Sequence, residues 1–290
     1  MRVHGYAYAI LERMKGGQKA QGFTIVEVMI VLAVSGALFI SAAALIAGRQ
    51  NQTEFDQGIR QIQSQIQQTA NDVASGYYPN LKNFKCTPSS GGPVISSGSS
   101  EQGTSSGCTF LGKILQFNST SGPQPNQFAM FTVAGLQQGS SGTEATSFAQ
   151  AKPIAVAPST TNPNVPDITD KQPLQYGLNV SYMKYNGTTN IGSVGFMSSF
   201  ASYNSSGFLA SGSQQVDVVP IAGSTLTDNA STAAEKINTK LAASSVDPSG
   251  GVAICFASAT TNESGLITLG NNGRQLSVTL DIKEGNTQCM

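Results

Sequence analysis

The sequence predicts an α+β protein: a long N-terminal α-helix, transmembrane in its first half and amphipathic in its second, packed on an antiparallel β-sheet or β-sandwich head. Three observations carry this expectation. Residues 23–47, FTIVEVMIVLAVSGALFISAAALIA, form an apolar run with no proline and a single charge, Glu27. Residues 55–73 repeat apolar side chains every three or four positions, the period of one helix face. Beyond residue 109, short runs rich in Val, Ile, Phe and Tyr alternate with Gly, Asn, Ser and Pro, the punctuation of strands and turns.

The apolar run exceeds the ~20 residues that a helix needs to cross the hydrocarbon core. Before it, residues 1–22 hold Arg2, Arg13, Lys15 and Lys19 against one acid, Glu12, and only Arg49 follows closely. That asymmetry places residues 1–22 in the cytoplasm and the rest outside. A secretory signal would put its small-residue cleavage site after the apolar core. Here the small residue, Gly22, comes before it, so cleavage at Gly22 would remove the basic leader and keep the membrane helix.

Gly22-Phe23-Thr24-Ile25-Val26-Glu27-Val28 resembles the processing site of the type IV pilin superfamily, which includes major pilins, minor pilins and the pseudopilins of type II secretion. The resemblance implies cleavage between Gly22 and Phe23 by a prepilin peptidase/methyltransferase and N-methylation of the new Phe23 amine. It also implies an inner-membrane assembly platform and self-association with other pilins in a filament. Glu27 falls at the fifth mature position, where the family places its acid, and Gly36 falls where members often carry glycine. The sequence departs from many major pilins at Ala44, where they have a helix-breaking proline. This departure leans toward a minor or pseudopilin-like role.

A carboxylate in hydrocarbon costs several kcal/mol unless it is paired or neutralised, so Glu27 is read as functional. The family mechanism pairs it with the Phe23 amine of a neighbouring subunit. The pair then selects docking register more than it adds stability.

The helix is expected to continue to about residue 75. Phe55, Ile59, Ile62, Ile66, Ala70 and Val73 form a narrow apolar stripe, with Gln61, Gln63, Gln65, Gln67 and Gln68 on the other faces. Gly76 and the Tyr77-Tyr78-Pro79-Asn80 segment read as its stop. The expected organisation is a leader at 1–22, a transmembrane or filament-core helix at 23–48, its amphipathic continuation at 49–75, and an exported head at 76–290.

Within the head, Ser/Gly-rich residues 86–108 read as a loop, as do 137–150 and 158–173. Strands are expected at 110–117, 128–135, 153–157, 174–183, 191–200 and 215–221, and a short helix at 231–243. Three strands, at 252–257, 265–269 and 274–282, close the chain, with a tight turn at Asn271-Asn272-Gly273. The order of these last elements is similar to the C-terminal region of H-type minor pseudopilins.

Four cysteines, Cys86, Cys108, Cys255 and Cys289, contain no Cys-x-x-Cys pair, and their even number in an exported chain points to two disulfides. Of the three possible pairings, Cys86–Cys108 and Cys255–Cys289 are preferred because each closes a local segment.

Composition narrows the function. Charged residues are 11% of the chain, against ~25% in ordinary soluble domains. Removing the leader takes four basic and one acidic side chain from sixteen of each and leaves a slightly acidic remainder. That remainder lacks the basic field a nucleic-acid partner requires. The one histidine, His4, precludes a histidine-based catalytic triad in the head. The expected protein is therefore not an enzyme and needs no cofactor or metal. It is a membrane precursor that becomes a cell-surface or extracellular filament subunit. The alternatives are a pseudopilin of a secretion or DNA-uptake machine and, more remotely, a membrane-anchored receptor or hydrolase.

Overall fold

The computed structural model describes residues 22–76, 84–97, 107–118, 126–138, 142–156, 170–198, 216–242, 251–272, 275–284 and 289. The expected leader lies outside this set, apart from Gly22. The chain divides into two compact units, Met1–Gln50 and Asn51–Met290.

Helix α1 runs from Ile25 to Ala74. Thr24 caps it: the Thr24 carbonyl accepts from Val28 N at 3.2 Å and its hydroxyl from Glu27 N at 3.3 Å. At the other end Ser75 N donates to Asn71 O, and Gly76 takes a φ of 66°. A glycine in that left-handed conformation just past a helix is the usual stop. No proline interrupts the helix, and Ala44 lies within it.

The second unit is an antiparallel sheet built from β3 (Cys108–Phe117), β4 (Gln127–Leu136), β5 (Ile154–Val156), β6 (Asp170–Pro173), β7 (Leu178–Tyr185), β8 (Thr189–Ser198), β9 (Val216–Ala222), β10 (Val252–Ser258), β11 (Glu263–Asn272) and β12 (Gln275–Glu284). A two-stranded hairpin, β1 (Phe84–Ser89) with β2 (Gly92–Ser97), stands beside it. The short α2 (Phe148–Ala151) and the longer α3 (Ala230–Ala242) complete the elements. Strand order is β12-β11-β10-β7-β8-β3-β4-β5, with β6 also on β4 and β9 also on β8. The α+β architecture is that of a long helix followed by a mostly antiparallel sheet.

The expected loop at 86–108 is corrected in part. Its first half forms the β1–β2 hairpin, turning at Ser89↔Gly92, while 98–106 lie outside the described residues. Cys86 pairs directly opposite Ile95, so apolar side chains at alternate positions bury one face despite the serines around them. The expected strand at 174–183 begins at Leu178, because Gln175–Gly177 turn, with Tyr176 at φ 56°. Asp170–Pro173, expected as loop, pairs with β4.

All six residues of the α1 stripe from Phe55 to Val73 are buried, joined by Gly58 and Thr69. They share a core with Leu115 and Phe117 of β3, Leu178, Val180 and Met183 of β7, Ile254 and Phe256 of β10, and Ile267 and Leu269 of β11. The helix approaches so closely that a Cβ on Gly265 would lie 2.1 Å from Ile59 Cδ1. The sheet curls around this segment. Gln63 Nε2 donates to Val278 O of β12 at 3.3 Å, and Gln65 Nε2 donates to Gln172 Oε1 of β6 at 2.8 Å. Those two strands lie toward opposite ends of the strand order.

The other face of β3, β4, β8 and β9 carries a second core. Ile114, Phe131, Val133, Met197, Val219 and Ile221 pack there against Ala233, Ala234, Ile237 and Leu241 of α3. Burial of both faces explains why these strands read as nearly unbroken apolar runs.

Candidate functional site: the start of the long helix

The expected processing and assembly residues lie together in the sequence and structure, at the first turn of α1. Gly22 and Phe23 precede the helix and are exposed, Phe23 to 79%. A Cβ added at Gly22 would meet nothing within 4 Å. Both residues that flank the expected scissile bond are thus uncovered among the described residues. Glu27 occupies the third helical position, in the first turn, where the partial positive end of the helix dipole favours a carboxylate. It is exposed and forms no ion pair among the described residues.

Thr24 is the residue that sequence reasoning missed. Thr24-Ile25-Val26-Glu27 has the spacing of a capping box, in which a hydroxyl residue caps the helix three places before a glutamate. The signal was present, but it lies inside an apolar run that reads first as membrane. Its consequence is geometric. The cap sets the start of the helix just after Phe23, so Glu27 falls in its first turn.

From Phe23 to Ile46 the large apolar side chains are all exposed, including Ile25, Met29, Leu32, Leu38, Phe39 and Leu45. This helix is long and apolar enough to cross a membrane by length and composition. So much uncovered apolar surface marks a segment made for lipid or for other helices.

The four cysteines are joined as Cys86–Cys108 and Cys255–Cys289, with Cα–Cα separations of 6.1 and 5.6 Å. The first ties β1 to the start of β3. The second ties Cys289 to β10.

The head's polar clusters are structural. Lys113, 6% exposed at its side chain, donates to Asp72 Oδ2 at 2.6 Å and locks the end of α1 to β3. Gln116 and Ser193 are wholly buried. The Ser193 hydroxyl donates to Gln116 Oε1, and Gln116 Nε2 donates to Thr225 O at 2.9 Å. Where β8 bulges, the Gly192 and Ser193 amides find Ser224 Oγ at 3.0 and 2.9 Å. Asp228 accepts from Lys236 Nζ at 2.7 and 2.9 Å and from Thr225 N at 2.7 Å. Burial alone would raise its carboxyl, but the Lys236 and Thr225 hydrogen bonds outweigh burial and hold it below the usual range. Glu263 is 8% exposed and sits directly across from Glu284. Burial, with the charges of Asp56 and Glu284, pushes its carboxyl up against a hydrogen bond from Thr261. Among the described residues no group of three or more His, Cys, Asp or Glu is placed to hold a metal.

Residues 17–43 match the family model for the prokaryotic N-terminal methylation motif. The motif and the long apolar helix that continues from it are consistent with a type IV pilin-like protein. The chain has no match among curated proteins and none among solved structures. The expected likeness of the C-terminal region to H-type pseudopilins therefore gains no support from them.

Proposed function

We propose that this chain is a structural subunit, a major or minor pilin, of a type IV pilus or pilus-like filament. The observation that carries the reading is the methylation motif at 17–43, which runs into a helix from Ile25 whose apolar surface is uncovered along its first half. Cleavage between Gly22 and Phe23 by a prepilin peptidase would release a new amine three residues before Glu27's neighbour Val26. Methylation of that amine keeps it cationic. In the bilayer, Glu27 carries a desolvation penalty of several kcal/mol. Pairing with the Phe23 amine of an adjacent subunit would offset that penalty only in the correct register, so the acid works as a register check during extraction from the membrane. The assembled subunit would present its head to solvent outside the cell.

Intact-mass and N-terminal measurement of protein from its native cell tests this. The expected product starts at Phe23 and carries one added methyl group. A mature chain that still begins at Met1, or one cut after residue 47, overturns the proposal.

A pseudopilin is the second reading, favoured by the unbroken helix through Ala44. Abundance in sheared surface filaments separates the two, because a machine part that forms no long fibre is not enriched there.

A further inference from the structure

We infer that Thr24 is a positioning residue for leader removal: its cap keeps the Gly22–Phe23 peptide bond outside the helix, in a form that a peptidase can attack. The inference rests on the precursor reading above and concerns the same bond.

Gly22, Phe23 and Thr24 are non-helical and exposed, and α1 begins at Ile25. The Glu27 amide decides that boundary. In a helix begun earlier, this N–H would donate to the Phe23 carbonyl, four residues back. Here it donates to the Thr24 hydroxyl at 3.3 Å, while Val28 N donates to the Thr24 carbonyl at 3.2 Å. One residue further back, the Val26 N–H would take the Gly22 carbonyl. That carbonyl belongs to the bond to be cut. Hydrolysis adds the oxygen of water to the Gly22 carbon and a proton to the Phe23 nitrogen, and breaks the bond between them. A carbonyl held inside a helical turn cannot join the main-chain hydrogen bonds by which an extended peptide is bound.

The surroundings make the hydroxyl decisive. A helix start leaves four amides without partners. Beside lipid no water replaces those partners, so a chain without the cap satisfies its amides by lengthening the helix backward through Phe23 and Gly22. No neighbour can substitute: from Gly22 to Val34, Thr24 is the only Ser, Thr, Asn or Asp, the residue types that cap.

Cleavage of the full-length precursor in detergent micelles by a purified prepilin peptidase, read by intact mass, tests this. Thr24→Val keeps the branched shape and removes the hydroxyl. Its kcat/KM is expected to fall about fivefold, the size of one lost cap. The loss should appear in KM, because only the fraction with an open bond is competent to bind. Thr24→Ser and Thr24→Asp keep a capping oxygen and should stay within about twofold of the natural chain. Intact head disulfides on non-reducing gels confirm folding. Cleavage of Thr24→Val at the natural rate overturns the inference and leaves the precursor reading standing. So does failure of both Thr24→Ser and Thr24→Asp, which would mean that the peptidase reads the threonine itself. A natural chain that keeps its leader, or is cut elsewhere, overturns both.

Discussion

The two halves of α1 share a backbone and differ in what covers them. Residues 25–46 expose nearly every large apolar side chain, whereas 55–73 bury a stripe of six under a curled sheet. Among the described residues the first half is left uncovered, so its hydrophobic free energy is open to lipid or to other chains. The second half has its partner in the same chain and contributes to the head's own stability. One helix therefore holds an assembly element and a folding element end to end, and substitutions in each should fail differently.

The largest expected effect is in the first half. Glu27→Ala should abolish incorporation into filaments while leaving a cleaved, membrane-held protein with an unchanged head melting temperature. Sheared-fraction immunoblots beside intact mass measure this, and filaments built normally from the variant would remove the pairing idea.

In the second half, Ile59→Ala should leave assembly chemistry intact but cost the head ~2–5 kcal/mol, because it deletes a fully buried side chain. Thermal unfolding of the detergent-solubilised chain reads the loss. A cost below about 1 kcal/mol would mean that the helix is not part of the head core.

The Lys113–Asp72 lock gives an asymmetric pair of variants. Asp72→Ala strands a nearly buried ammonium and should cost ~3 kcal/mol, whereas Lys113→Met leaves a carboxylate that water still reaches and should cost less. Equal losses would show that Lys113 finds water in the variant.

A smaller effect carries a pH signature. Folding raises Glu263's affinity for its proton, so its contribution to stability is fully present below the ordinary glutamate range. That contribution is lost as pH rises through the raised value. Glu263→Gln should therefore stabilise the head at neutral pH, by less than about 1 kcal/mol, in keeping with relief of a like-charge cross-strand pair. The gain should shrink as pH falls. A gain that grows on acidification contradicts the assignment. Phe39→Ala, on the uncovered half, should move head stability by no more than ~0.5 kcal/mol.

Much of this organisation was legible from local pattern. The 3.6-residue stripe named six of the buried side chains of α1 but not Thr69, and apolar runs bounded by Gly, Asn and Ser marked β3, β4, β8, β9 and β10 to within a few residues. Glu27 and its flanking residues stood out because an acid is costly in an apolar run. Two local signals went unread: the Thr24 cap, and the Asn186-Gly187 turn between β7 and β8, where both residues take positive φ. The β1–β2 hairpin was hidden because serine and glycine dominate a segment in which few apolar residues, Cys86 and Ile95 among them, are buried.

The sequence by itself determined the long helix, its division into a uniformly apolar half and a striped half, and the motif at its start, because these depend on periodicity and on the order of residues along the chain. Only the tertiary structure decided that β7 lies against β10 and that glutamines 63 and 65 reach strands toward opposite ends of the sheet. Those are matters of which distant residues meet. The free energy that selects them comes from burying both faces of a sheet at once, a quantity no single segment contains.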